Sequence, residues 1–148
     1  MNVIFITALS PIRVGQVAWG FSAMDDRQKL TRILRAELAF LEDGGYRNRP
    51  RYPWRPNFVF EDSPTCINFH VNTERKPCHE CPLMEFVPED RRDTPFPCRH
   101  IPLTSRGDTV NSYYEWGTED ELERALDVWL SQTIHNLEGG EQTHAQGA

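Results

Sequence analysis

The sequence predicts an α+β fold: two helices packed on a small, irregular, Pro-rich β region that a metal clamps. Three observations predict it. Apolar residues recur at helical spacing in residues 25–42 and again in 119–137. Ten of the eleven prolines lie between Pro50 and Pro102. All four cysteines fall inside that same stretch.

The chain has 148 residues, enough for one compact domain and too few for two comfortable ones. Residues 1–23 show no sustained period and read as an N-terminal extension. They end just before Met24, which offers a second start position besides Met1. The other reading of this extension is a short strand at residues 3–8. Residues 24–138 are expected to form a single metal-stabilised domain, and 139–148, small and polar, a disordered tail.

In the first helix, Leu30, Ile33, Leu34, Leu38 and Leu41 make one apolar stripe. Asp25 and Asp26 sit at the positive end of its dipole, and Gly44-Gly45 ends it. Residues 46–56 carry three prolines in seven positions, which predicts an extended strap. Residues 57–60 and 66–71 read as short strands joined by a turn at Glu61-Asp62-Ser63-Pro64. A second hairpin is expected between 100–104 and 109–114, turning at Ser105-Arg106-Gly107-Asp108. Tyr113, Tyr114 and Trp116 are expected to fill the joint before the last helix. Thr118 and Glu121 form a capping box for that helix. Its buried face is read as Leu122, Ala125, Leu126, Trp129, Thr133, Ile134 and Leu137.

A segment so rich in proline loses ladder donors and helical geometry, so it needs a staple. Cys66, Cys78, Cys81 and Cys98 are spaced C-x11-C-x2-C-x16-C. The Cys78-x-x-Cys81 pair lets one tight turn aim two sulfurs at one ion. Four thiolates from three segments would tie the region together. His70 could replace Cys66 as a ligand, and His100 could replace Cys98. Zinc accepts four thiolates and contributes folding energy directly. An iron–sulfur cluster uses the same ligands, and Cys81-Pro82 has the Pro that follows a ligand in bacterial ferredoxin runs. The irregular outer spacings match no named zinc ribbon, which would show two C-x2-C knuckles.

Two catalytic readings fail on residues. The zinc deaminase signature needs an upstream H-x-E, and His70 is followed by Val71-Asn72. A thioredoxin-like pair needs a strand before it and a helix directly after it, and Pro82 follows Cys81 at once. There is no Gly-rich phosphate loop, no G-x-S-x-G and no H-E-x-x-H.

Charge is uneven. Residues 1–55 carry nine Lys/Arg and five Asp/Glu, a balance of +4, which leaves −10 for the rest of a chain with net charge −6. That acidity argues against a protein coated in nucleic acid. The strap interleaves Arg47, Arg49, Arg51 and Arg55 with Tyr52 and Trp54, a pattern suited to a protein partner. Nucleic acid is the lesser alternative. Ahead of both stands the bland reading, in which Tyr52 and Trp54 pack the strap on the helices and the arginines pair with the acidic half. No apolar run reaches bilayer length, no basic region precedes the apolar run at 3–9, and a reducing, cytoplasmic setting favours metal ligands over disulfides.

The functional expectation is therefore a non-catalytic zinc-binding interaction or accessory module of a larger assembly. The alternatives are an iron–sulfur electron-transfer protein or subunit and a small Cys-x-x-Cys thiol redox protein.

Overall fold

Helix α1 spans Ala18–Glu42, so it starts upstream of Met24 and takes in part of the expected extension. The computed structural model describes residues 18–48 and 50–142; the candidate strand at 3–8 lies outside them. Gly44 ends the helix with φ +69°, a left-handed value that glycine adopts without penalty, while its N–H donates to the Leu41 carbonyl at 2.9 Å. The chain then makes a single helical turn, α2 (Gly45–Asn48), where the strap was expected to begin. A Cβ on Gly45 would lie 2.5 Å from the Phe40 ring, so this close turn needs glycine.

Near the other end, α3 (Val110–Trp116) is capped by a reciprocal Thr109–Ser112 box. Helix α4 spans Glu119–Gln142. Thr118 caps it as expected: its hydroxyl accepts from the Glu121 N–H at 3.2 Å, and Glu121 accepts from the Thr118 N–H at 2.8 Å. The helix continues through Gly139-Gly140, so residues 139–142 are helical.

Helices α1 and α4 make the main packing contact, with Leu30 and Leu34 facing Leu122, Leu126, Leu130 and Ile134. They run antiparallel: Arg35 pairs with Glu138, while Arg47 in α2 pairs with Asp120 and Glu123 at the start of α4. Leu130 is fully buried beside the residues that the sequence stripe named.

The β half of the expected fold is overturned. Among the described residues no strand forms, and pairing is reduced to two isolated bridges, Tyr52 with Arg55 and Pro102 with Thr109. Residues 57–60 and 66–71 are turns and coil. The expected hairpin survives as one bridge and one hydrogen bond, Leu103 N–H to Asp108 carbonyl at 2.8 Å, and 110–114 belong to α3. The reason lies in the backbone donors of the middle segment. Those at 58–60 find side chains instead of a neighbouring strand: Asp62, the Tyr114 hydroxyl and the Tyr46 hydroxyl accept from Phe58, Val59 and Phe60 at 2.9, 2.8 and 3.1 Å. The prolines push the rest into short 3₁₀ turns: Cys78–Glu80, Pro82–Phe86, Glu89–Arg91 and Pro97–His100. Val59, Phe60, Leu83, Val87, Ile101 and Leu103 from this middle segment complete the helical core.

Candidate metal centre

Each cysteine is placed by a local device. Cys66 follows a loop that three helices hold. Its N–H donates to the Ser63 carbonyl at 3.1 Å. The preceding Thr65 hydroxyl donates to Glu37 of α1 at 3.0 Å. Tyr46 of α2 donates its hydroxyl proton to the same carboxylate. Glu37 is fully buried and its shell is of neutral hydroxyls, so burial raises its pKa above the ordinary 4.5 against those hydrogen bonds. In this loop Phe60 is buried at φ +65°, a conformation that persists only when its surroundings over-determine it.

Asn68 brings the next pair round. Its amide donates to the Lys76 carbonyl at 2.9 Å and accepts from the Lys76 N–H at 2.8 Å. The side chain thus closes residues 68–76 into a loop and delivers Cys78 back towards Cys66. Cys78 and Cys81 bracket one 3₁₀ turn, with the Cys81 N–H donating to the Cys78 carbonyl at 2.9 Å. Pro77 precedes the turn in extended conformation and Pro82 starts the next one. Cys98 sits in the turn Pro97–His100, which the fully buried Pro97 and Ile101 root in the core.

These devices bring all four thiols to one cavity of about 730 Å³. None is in a disulfide; Cys78 is exposed and the other three are half-buried. They lie within electrostatic reach of one another. Burial, and then the negative charge of neighbouring groups, raises the pKa of Cys66, Cys81 and Cys98, with the other cysteines contributing to each. Cys98 is raised furthest, by burial and then by Glu61. Among the described residues no group of three or more His, Cys, Asp or Glu side chains forms a set that could hold a metal ion. His70 and His100 are not among the residues lining the cavity; His70 stacks on Phe69 instead, with centroids 4.0 Å apart.

The remaining wall is aromatic and cationic. Phe58, Phe60, Phe96 and Met84 face the cavity, as do Arg55, Arg75, Lys76 and Arg99. Arg55 forks onto Asp62 at 2.5 and 3.2 Å, and Arg99 forks onto Glu61 at 2.6 and 3.0 Å. Arg99 also lies over the rings of Phe58 and Phe96.

The strap residues are largely committed inside the molecule. Arg47 pairs with α4, Arg51 lies 3.7 Å from Asp62 and over Tyr52 and Phe69, and Arg55 pairs with Asp62. Arg49 lies outside the described residues. Trp54 is 77% exposed, with Tyr52 against it at 5.1 Å between centroids. Sequence reasoning placed Glu61 and Asp62 only in a turn, and did not single out Glu37 or Asn68. Glu37 left one signal: a carboxylate on the apolar stripe, one turn after Leu34.

Comparison with protein-family models, curated proteins and solved structures finds no match to this chain. Among the described residues no helix is long and apolar enough to cross a membrane.

Proposed function

We propose that the chain is a non-catalytic carrier of an iron–sulfur cluster on Cys66, Cys78, Cys81 and Cys98, serving as an electron-transfer module of a larger assembly. What supports the reading is that all four thiols line one cavity, although no three of them form a set that could hold a single ion among the described residues. Four thiolates can hold either one zinc, at about 2.3 Å each, or a cluster. Four thiolates on a cluster surround an inorganic core. The aromatic walls support the same reading, since exposure to water is one of the levers on a cluster's potential. Metal ligation deprotonates the thiols whose pKa burial raises, so loading releases protons. A reducing compartment goes with this reading.

A structural zinc is the second reading. The single turn that holds Cys78 and Cys81 favours it, because such a knuckle presents two sulfurs to one ion. In that case the chain is an interaction module with the same four ligands.

Purification of the full chain without oxygen, followed by absorbance spectroscopy and assay of iron, acid-labile sulfide and zinc, tests the choice. The expected result is a brown protein absorbing near ~400 nm, with iron and sulfide in equal amounts. A colourless protein with about one zinc per chain overturns the cluster in favour of the zinc module. A chain with neither metal overturns both.

A further inference from the structure

We infer that Cys78 and Cys81 of the metal-free chain form a thiol–disulfide switch: a small-molecule disulfide oxidises them to a bond between the two and leaves Cys66 and Cys98 as thiols. The inference goes beyond the metal reading above and does not rest on it. The two cysteines bracket the 3₁₀ turn Cys78–Glu80, closed by the Cys81 N–H on the Cys78 carbonyl at 2.9 Å. Such a turn holds its end Cα atoms less than about 7 Å apart, and a disulfide bridges Cα atoms about 4.4–6.8 Å apart. Side chains three residues apart on a 3₁₀ turn eclipse, so the two thiols leave it on one side. Cys66 and Cys98 stand in separate turns, the first closed on the Ser63 carbonyl and the second within Pro97–His100.

Exposure sets the order of attack. Residues 72–80 are exposed throughout, Cys78 among them, and the other three cysteines are half-buried. A reagent therefore reaches Cys78 without any opening of the fold. The charges beside it balance, Glu74 and Glu80 against Arg75 and Lys76, so the site takes a disulfide for its sulfur–sulfur bond and not for its charge. The Cys78 thiolate attacks one sulfur of the small disulfide and displaces the other as a thiolate, which leaves a mixed disulfide on Cys78. The Cys81 thiolate then attacks the Cys78 sulfur and displaces the second small thiolate. The pair loses two electrons and two protons; the small disulfide takes up both and departs as two thiols. Pro82 starts another 3₁₀ turn directly after the pair, where an exchange enzyme has a helix N-terminus to activate its thiol. The pair is thus a stoichiometric switch, reset by a small thiol, and not a turnover site.

The reduced full chain, stripped of metal by a chelator and desalted without oxygen, is mixed with glutathione disulfide under native conditions. Samples are quenched in acid, unfolded, alkylated and digested with trypsin for peptide mass analysis. Cys78 and Cys81 share one tryptic peptide, residues 76–91, and Cys66 and Cys98 lie in two others. The expected product is a 76–91 peptide that carries neither alkyl label nor glutathione, while the Cys66 and Cys98 peptides carry the label. Cys81→Ser should retain glutathione on Cys78, and Cys78→Ser should react about tenfold more slowly than the parent. Glutathione retained on Cys78 in the parent, a bond from either cysteine to Cys66 or Cys98, or a Cys78→Ser variant as fast as the parent overturns the inference. So does a parent that stays fully reduced. Should either variant fail to fold, the peptide map of the parent decides alone.

Discussion

At the scale of single residues, the buried polar shell behind Cys66 makes the sharpest forecasts. Tyr46 donates to Glu37 and accepts from the Phe60 N–H. Tyr46→Phe strips both partners, and leaving buried groups unpaired costs about 1–3 kcal/mol in denaturant unfolding. Glu37 has its pKa raised by burial. A carboxyl whose folded pKa lies above its unfolded one contributes most stability below the unfolded value and loses it as pH rises. Glu37→Gln should therefore flatten the pH dependence of unfolding from about pH 4.5 upward. A variant with the slope of the parent would show that Glu37 does not titrate in this way. The thiols follow the same sign. In metal-free protein, Cys66, Cys81 and Cys98 stay protonated above the ordinary value of 9.0, so metal-free stability should fall as pH rises beyond about 9. Alkylation of metal-free protein should modify exposed Cys78 first and Cys98 last, as peptide mass analysis can order. Rapid labelling of Cys98 at pH 8 would contradict its burial.

At the scale of elements, the helices were legible and the middle segment was not. The stripes Leu30-Leu34 and Leu122-Leu126-Ile134 and the Thr118–Glu121 box are periodic or local signals, and the structure uses them as read. Leu130 was missed although it lies on the same stripe, four residues after Leu126 and four before Ile134, and it is fully buried. Leu130→Ala should cost about 2–5 kcal/mol by thermal or chemical unfolding, whereas Arg47→Ala, at an exposed pair with Asp120 and Glu123, should cost about 1 kcal/mol or less. The expected strands failed for a reason sequence does not display. Their backbone donors are answered by Tyr46, Tyr114 and Asp62, side chains whose approach depends on the finished tertiary packing. Asn68 illustrates this best: it takes the place of a strand's backbone against Lys76, and nothing in its neighbours marks it for that.

For the whole molecule, the spacing singled out the four cysteines but not how they sit: they line one cavity without forming a set that could hold a metal ion among the described residues. The aromatic and arginine walls come from segments far apart in sequence and had no local mark. Cys81→Ser should abolish cluster or metal content and free the turns between 50 and 103, while α1 and α4 remain paired. Hydrogen exchange checks this: protection should drop in the turns and persist in the helices. Uniform loss of protection would mean that the centre holds the entire core, not the middle alone.

The antiparallel pairing of α1 with α4 bears on how the protein is born. Chains emerge from the ribosome N-terminus first, and the entire Pro-rich segment is synthesised between the two helices. Leu30 and Leu34 thus lack their partners on α4 until synthesis is nearly over, and closing so long a loop is slow. The thiols are therefore made, and open to oxidation, before the frame that will gather them exists.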